Sequence, residues 1–519
     1  MASIAGGGGG ASALPIDYQY ERPVEGKERV HPTQFMLDLV SEGTKETSGK
    51  HVLADYMKRE PGYDLSFCAA YLAHINQAAA KNPLELLQVF LKIHELAMSH
   101  ITAKMSEIEK REFNDSKDKG HSFGVGVGPN SDLEGVVDLL KQILFNEKRT
   151  LISFYTEEKS NKPYIDYGVM HGEFFQLNKR TNEDKKLFLK NRHSPEERVQ
   201  KIVEIIKPLY EVGTIGKGIF PVRFTSMYRS NDERSIKACE LMTRYFMSLK
   251  KDQSDSEKIK NICLLCRELE QLHFFVDGNG RTVFIFANLL ASWNNLPPFY
   301  PTNMCVFDAN SVPKMVKEVS MGQKRFAEMF GTKEEFNQNL KVYKETVENL
   351  TALISTKFSK IKSVMTALSE RNFNLLLRQS VPIEETIDLL KFLLQNRSSL
   401  NIDLNSAGQT SGTATTIAKK VGNEEAIKLL VVETLSDLIS TKFAKIKSIV
   451  TALKERNFNL LLRQSAISED KIELLKFLLE NRSFLNIDLS SAGQTSGTAA
   501  TIAKARGNEE ACKLLEEAL

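Results

Sequence analysis

Nine consecutive residues, His273-Phe274-Phe275-Val276-Asp277-Gly278-Asn279-Gly280-Arg281, place a base, a carboxylate, two glycines and a guanidinium within one short junction. Glycines at 278 and 280 allow unusual backbone angles and let successive N–H groups converge at the start of a helix. There the free N–H groups and the helix dipole favour an anion such as phosphate. Arg281 adds a fixed charge with a planar donor fork suited to phosphate. Asp277 supplies the single carboxylate that Mg²⁺ takes beside phosphate oxygens and water. His273 titrates near neutral pH and can take a proton from an attacking hydroxyl. Taken singly, each residue has a plainer use. Asp-Gly and Asn-Gly are turn dipeptides, a histidine after an apolar helix is commonly structural, and Phe274 and Phe275 read as core. Together they read as a site that moves a phosphate-linked group onto a hydroxyl.

Position for position, this stretch resembles the signature of the Fic (Fic/Doc, Fido) family, H-x-F-x-D/E-G-N-G-R. The resemblance implies a helical core over about residues 131–350. Its members transfer the phosphate-containing part of a nucleotide to a protein hydroxyl, most often AMP from ATP onto Tyr, Thr or Ser. It assigns His273 as general base, Phe275 as the buried anchor of the loop and Asp277 as the Mg²⁺ ligand. Gly278, Asn279 and Gly280 become the phosphate cradle and Arg281 a phosphate contact. The turn-rich segment from Gly213 to Tyr228 lies where the family places a β-hairpin flap that holds the target backbone.

Two positions depart from the pattern. Phe274 stands where proline usually follows the histidine, a change the signature tolerates. Phe284 stands where the AMP-transferring form, G-N-G-R-x-x-R, has a second arginine for the terminal phosphate of ATP and for an inhibitory glutamate. Residues 130–135, NSDLEG, resemble the inhibitory S/T-x-x-x-E-G/N motif and place Glu134 at its glutamate, although Asn130 replaces the hydroxyl residue. The same residues also read as an ordinary helix start with acidic residues in the first turn. A branch of the family moves phosphocholine from CDP-choline onto a host small GTPase and joins a Fic core to ankyrin repeats. That donor has no triphosphate tail and needs no charge at 284. The glycine-rich loop, in turn, keeps the form of the nucleotide-monophosphate transferases.

The junction must be held by its flanking helices. Upstream, Ile259, Ile262, Cys263, Cys266, Leu269 and Leu272 form an apolar stripe from about Ser256. Downstream, Thr282 to about Trp293 is apolar nearly all round and so reads as buried. Cys263-x-x-Cys266 falls on that stripe without a second pair nearby and reads as core thiols. Asn82-Pro83 predicts a helix start ahead of Leu84, Leu87, Leu91 and His94. Gly120–Asn130 reads as a loop, with β-like or turn-rich segments at Pro163–Phe175 and Gly213–Tyr228. Phe336, Leu340, Tyr343, Val347 and Leu350 predict a long helix.

At 519 residues the chain is long enough for about three to four folded units at roughly 150 residues each. Its 42% hydrophobic and 26% charged residues are those of a globular protein, and a net charge of +3 argues against a dedicated nucleic-acid binder. Six scattered cysteines fit a reducing, cytoplasmic setting. The longest apolar run, Val283–Trp293, is too short for a membrane span. Residues 1–16 read as a disordered glycine-rich tail and 17–130 as a helical N-terminal region ending in a loop. The Fic core, 131–350, is followed by two repeat units, 351–434 and 435–519. Ile354–Leu430 aligns without gaps to Ile439–Leu515 at an offset of 85 residues, with 60 of 77 positions identical.

The wording TATTIAKKVGNEEAIKLL, from Thr413, resembles an ankyrin helix pair, which can bury its apolar faces only by stacking into a solenoid. Glu509, Glu510, Glu516 and Glu517 before Leu519 resemble acidic tails that export effectors of intracellular bacterial pathogens through a type IV apparatus. The fold class expected is therefore mainly α: a helical N-terminal region, a helical Fic core with a small β-hairpin flap, and an ankyrin-like α-solenoid. The expected activity is Mg²⁺-dependent AMP transfer from ATP to a protein hydroxyl. Phosphocholine transfer is the alternative, and a non-catalytic interaction protein working through its repeats is the second alternative. The partners expected are a target protein and a protein held by the repeats, with no nucleic acid.

Overall fold

Asn82 accepts the Glu85 N–H at 2.9 Å and Pro83 occupies the first helical position, so a helix starts where the sequence predicts one. The computed structural model describes residues 30–38, 60–75, 77–101, 122–127, 132–145, 151–154, 165–170, 173–178, 186–189, 220–225, 230–301, 304–408, 412–494 and 497–519. It also describes a few isolated positions near 57 and between 194 and 207. The predicted tail, 1–16, lies outside them. The chain divides into two units, Met1–Lys344 and Glu345–Leu519. The protein is mainly helical, and no helix among the described residues is long and apolar enough to cross a membrane.

In the first unit the elements run α1 (Pro32–Asp38), α2 (Tyr63–His74), α3 (Pro83–Ala97), β1 (Ser122–Val127), α4 (Leu133–Phe145), β2 (Leu151–Phe154), β3 (Ile165–Met170), β4 (Glu173–Asn178), β5 (Lys186–Leu189) and β6 (Phe220–Thr225). Then come α5 (Asn231–Ser248), α6 (Asp255–Leu272), α7 (Asn279–Trp293), a 3₁₀ turn (Met304–Phe307), α8 (Val312–Phe330) and α9 (Lys333–Lys357), which crosses the boundary between the units. Ser254 starts α6 through a capping box, its hydroxyl accepting the Glu257 N–H while Glu257 accepts the Ser254 N–H. Helices α2 and α3 pack on each other and on α7, and α3 also packs on α5.

The strands extend the sequence reading. They form one antiparallel sheet in the order β1-β6-β2-β3-β4-β5. Gly120–Asn130, expected as a loop, contains β1, which pairs residue for residue with β6 from Ser122↔Thr225 to Val127↔Phe220. Alternating glycine and valine has little strand preference of its own; the ladder to β6 overrides it. The strand found within Gly213–Tyr228 is β6, and its partners are β1 and β2 rather than a neighbour in a two-stranded hairpin. The rest of that segment lies outside the described residues.

The helical core of this unit is aromatic. Phe35 lies 4.9–6.0 Å, ring to ring, from Phe67, Tyr71, Phe284, Tyr300, Phe326, Phe330 and Phe336. Such a cluster adds specific edge and stacking geometry to the burial of large apolar surfaces.

In the second unit, α10 (Lys362–Ser369), α11 (Phe373–Gln379), α12 (Ile387–Gln395), α13 (Ala414–Val421) and α14 (Glu424–Lys442) precede α15 (Lys447–Lys454), α16 (Phe458–Ser465), α17 (Ile472–Glu480), α18 (Ala499–Arg506) and α19 (Glu509–Ala518). The 85-residue offset carries through to the backbone. Gly422 and Gly507 both end a helix with positive φ, and the bridge Gly408↔Gly412 recurs as Gly493↔Gly497. Within each copy α10 packs on α11 and α13 on α14, as α15 packs on α16 and α18 on α19, and α14 also packs on α15 and α17 of the second copy.

Candidate functional site

The loop from His273 to Arg281 begins where α6 ends. His273 is the C-cap in the left-handed conformation, φ 50° and ψ 58°, and its N–H is shared by the carbonyls of Leu269 and Glu270 at 3.2 Å. A non-glycine residue there carries backbone strain of about 1 kcal/mol, which the surrounding packing must hold. Phe274 and Phe275 are buried immediately after it. Phe275 lies against Phe90 at 5.3 Å and stacks flat on the His94 ring at 3.7 Å.

His94 fixes the loop a second way, with Nε2 3.0 Å from the Asp277 carbonyl oxygen. Asn279 closes the turn from inside: its Oδ1 accepts the Phe275 N–H and its Nδ2 donates to the Phe275 carbonyl, both at 3.0 Å. The side chain expected in the phosphate cradle is therefore a buried brace. Gly278, at φ 75°, caps α7, and a Cβ there would lie 2.6 Å from Met98 Sδ. Gly280 differs from expectation. It sits in the first turn of α7, exposed and without positive φ, and a Cβ there would lie 3.7 Å from Glu270 Oε1, an ordinary contact.

Asp277 is the exposed member, its side chain 43% accessible, with Oδ1 accepting the Gly278 N–H at 2.7 Å. One open carboxylate beside a helix N-terminus fits the donor set of Mg²⁺ bound together with phosphate oxygens. Among the described residues no cluster of three or more His, Cys, Asp or Glu could hold a metal by itself. His273 is partly accessible, and Glu270, one turn earlier, puts Oε1 4.0 Å from its Nδ1. Burial and the neighbouring Asp308 push the Glu270 carboxyl well above the ordinary range.

Arg281 is only 8% exposed. Its Nη2 lies 2.6 Å from Glu60 Oε2 and 3.9 Å from Asp277 Oδ1, Nη1 lies 3.6 Å from Met98 Sδ, and the guanidinium sits 5.3 Å above the Tyr63 ring. A phosphate that meets this arginine must share it with Glu60. Glu134, nominated from the sequence, is exposed in the first turn of α4. The residue beside it that makes contacts is Asp132, which accepts the Gly135 N–H and both the N–H and hydroxyl of Ser311. Phe284 is buried, 5.5 Å from both Phe35 and Phe299, in the aromatic core.

Sequence reasoning did not single out Glu60, Tyr63, His94, Met98 or Glu270. Two of them left a signal: His94 and Glu270 are polar residues at core-facing positions of amphipathic helices, where burial demands a reason. Cys263 and Cys266 are free and fully buried, and burial pushes both thiols up.

Residues 198–291 match the Fic/DOC family, so a Fic/DOC domain is detected there, with the loop from His273 to Arg281 inside it. Such a domain implies a transferase of the general Fic type. Comparison with curated proteins gives no match.

Proposed function

We propose that this chain transfers a phosphate-linked group from a nucleotide substrate to a hydroxyl side chain of a protein, with AMP from ATP as the first reading. The observation that carries the proposal is the braced loop itself: a partly exposed histidine and an exposed carboxylate at the open N-terminus of α7. In the reaction the acceptor oxygen forms a bond to phosphorus as the bond to the leaving phosphate breaks. The proton of the hydroxyl passes to His273, through the ring nitrogen that does not face Glu270. The free N–H groups of the first turn of α7 stabilise negative charge as it grows on the phosphoryl oxygens, and Arg281 adds positive charge beside them. Mg²⁺ held by Asp277 would neutralise phosphate charge when bound. The repeats of the second unit are proposed to hold a protein partner, in the manner of ankyrin-like stacks, in a host cell reached by export.

One observation favours a second reading, phosphocholine transfer from CDP-choline. Position 284 is aromatic core, so no cation stands there for the terminal phosphate of ATP.

The test is intact mass spectrometry of the full chain and of a host lysate, each with Mg²⁺ and either ATP or CDP-choline. A gain of one AMP per acceptor that disappears in His273→Ala supports the first reading, and a gain of phosphocholine supports the second. His273→Ala should slow transfer about a thousandfold, and transfer that persists unchanged in this variant removes the assigned mechanism.

A further inference from the structure

The last turn of α6 carries a second acidic group that the transfer reaction as described leaves unused. Glu270 and His273 are three residues apart on one helix face, with Oε1 facing Nδ1 at 4.0 Å. The same oxygen is 3.7 Å from where a Cβ on Gly280 would be, so the carboxyl group lies between the histidine and the first turn of α7. It is 8% exposed, and among the described residues Oε2 has no hydrogen-bond partner. A buried carboxyl oxygen without a partner is costly and calls for a reason.

The groups around it limit what that reason can be. Arg267, one turn earlier, directs Nη1 to Asp138 Oδ2 and to the Asn310 carbonyl, each at 3.5 Å. The neighbouring Asp308 disfavours a second negative charge beside it. The Glu270 carboxyl faces the His273 ring at 4.0 Å, and a protonated ring would bring a positive charge beside it.

We infer that Glu270 is a positioning residue for His273: its Oε1, 4.0 Å from Nδ1 in the free chain, closes to accept a hydrogen bond from Nδ1–H, so that the Nε2 lone pair is presented to the acceptor hydroxyl. This rests on the assignment of His273 as the base. An imidazole held from Nδ1 by a carboxylate keeps one tautomer and one ring orientation. When Nε2 takes the hydroxyl proton, the positive ring forms beside the Glu270 carboxyl, and each charge favours the other. Because burial and Asp308 disfavour an isolated carboxylate, Glu270 gains most from a protonated ring opposite it. The pair therefore raises the basicity of His273.

The experiment is NMR titration of the His273 ring in the full-length protein and in Glu270→Gln, run beside the mass-spectrometric transfer assay over pH. Glutamine keeps the shape and removes the charge. The expected result is a fall of about one unit in the His273 pKa. The acid limb of the kcat profile moves to lower pH by the same amount, and kcat falls about tenfold with the donor KM unchanged. A second variant covers a failure of Glu270→Gln to fold. In His273→Ala the Glu270 carboxyl, followed by ¹³C, should titrate higher than in the wild type, and an unchanged value overturns the pairing. Transfer that proceeds in Glu270→Gln with both the His273 titration and the acid limb unmoved overturns it too. If no donor yields transfer in the wild type while the His273 titration still shifts, the proposed function fails and the pairing stands.

Discussion

The loop of the first unit and the repeats of the second use charge in opposite ways. In the repeats, Lys357 meets Asp388 and Lys442 meets Glu473, the same contact displaced by 85 residues, and Lys391–Glu425 recurs as Lys476–Glu510. All of these side chains are roughly half exposed, where ion pairs contribute little and losing one leaves its partner in water. At the loop, Arg281 and Glu60 are 8% and 15% exposed, and the guanidinium has no water to fall back on. The repeats distribute many weak, replaceable contacts, whereas the loop relies on a few buried ones drawn from distant segments.

The sharpest way to break this contrast is to put a charge where the loop's own core has none. Phe284→Arg restores the charge type of the AMP-transferring signature but places it among Phe35 and Phe299, and it should cost about 4 kcal/mol of stability by urea denaturation. A variant as stable as the wild type would show that residue 284 can turn toward the loop. Next in size, Glu60→Ala removes the 2.6 Å counter-charge of buried Arg281 and should cost about 3 kcal/mol. Its counterpart in the repeats, Lys442→Ala, should be indistinguishable from the wild type in the same denaturation series, and equal losses in the two variants would erase the distinction drawn here.

A smaller effect concerns pH. Burial and the neighbouring Lys92 hold His74, at the end of α2, down to about 4. Its folded pKa lies below the unfolded value, so the unfolded chain binds the extra proton first. Stability is then complete above about pH 6.5 and falls as the pH drops toward 4. His74→Gln should flatten that part of the stability profile, and a profile unchanged by the substitution would assign the acid sensitivity to other groups.

How much of this was legible in the sequence depends on the distance between partners. The capped start at Asn82-Pro83, the helices on either side of the loop and the duplicated helices of the second unit are set by residues a few positions apart, and they appear where the pattern puts them. The loop residues could be named for the same reason. Their supports could not. His94 and Asp277 are 183 residues apart, and Glu60 is farther still from Arg281, so no local spacing links them. Strand β1 was hidden because its pairing lies with β6, almost a hundred residues on, and glycine-valine alternation says nothing of that partner. Gly280 was expected to need unusual backbone angles, but a glycine's identity does not reveal its φ, and here the backbone is helical with room for a Cβ.

Helix α7 is fastened at both ends to residues before 102. Its first turn and the loop before it meet Glu60, Tyr63, His94 and Met98. At its last turn, Trp293 Nε1 donates to the Gln77 carbonyl at 2.9 Å and Ser292 Oγ lies 3.4 Å from the Ile75 carbonyl. The loop signature is therefore not a portable cassette. Residues 198–291, moved to another protein or expressed alone, leave behind the stacking surface of Phe275 and the counter-charge of Arg281, so these two stretches of the gene must be inherited, and engineered, as one piece.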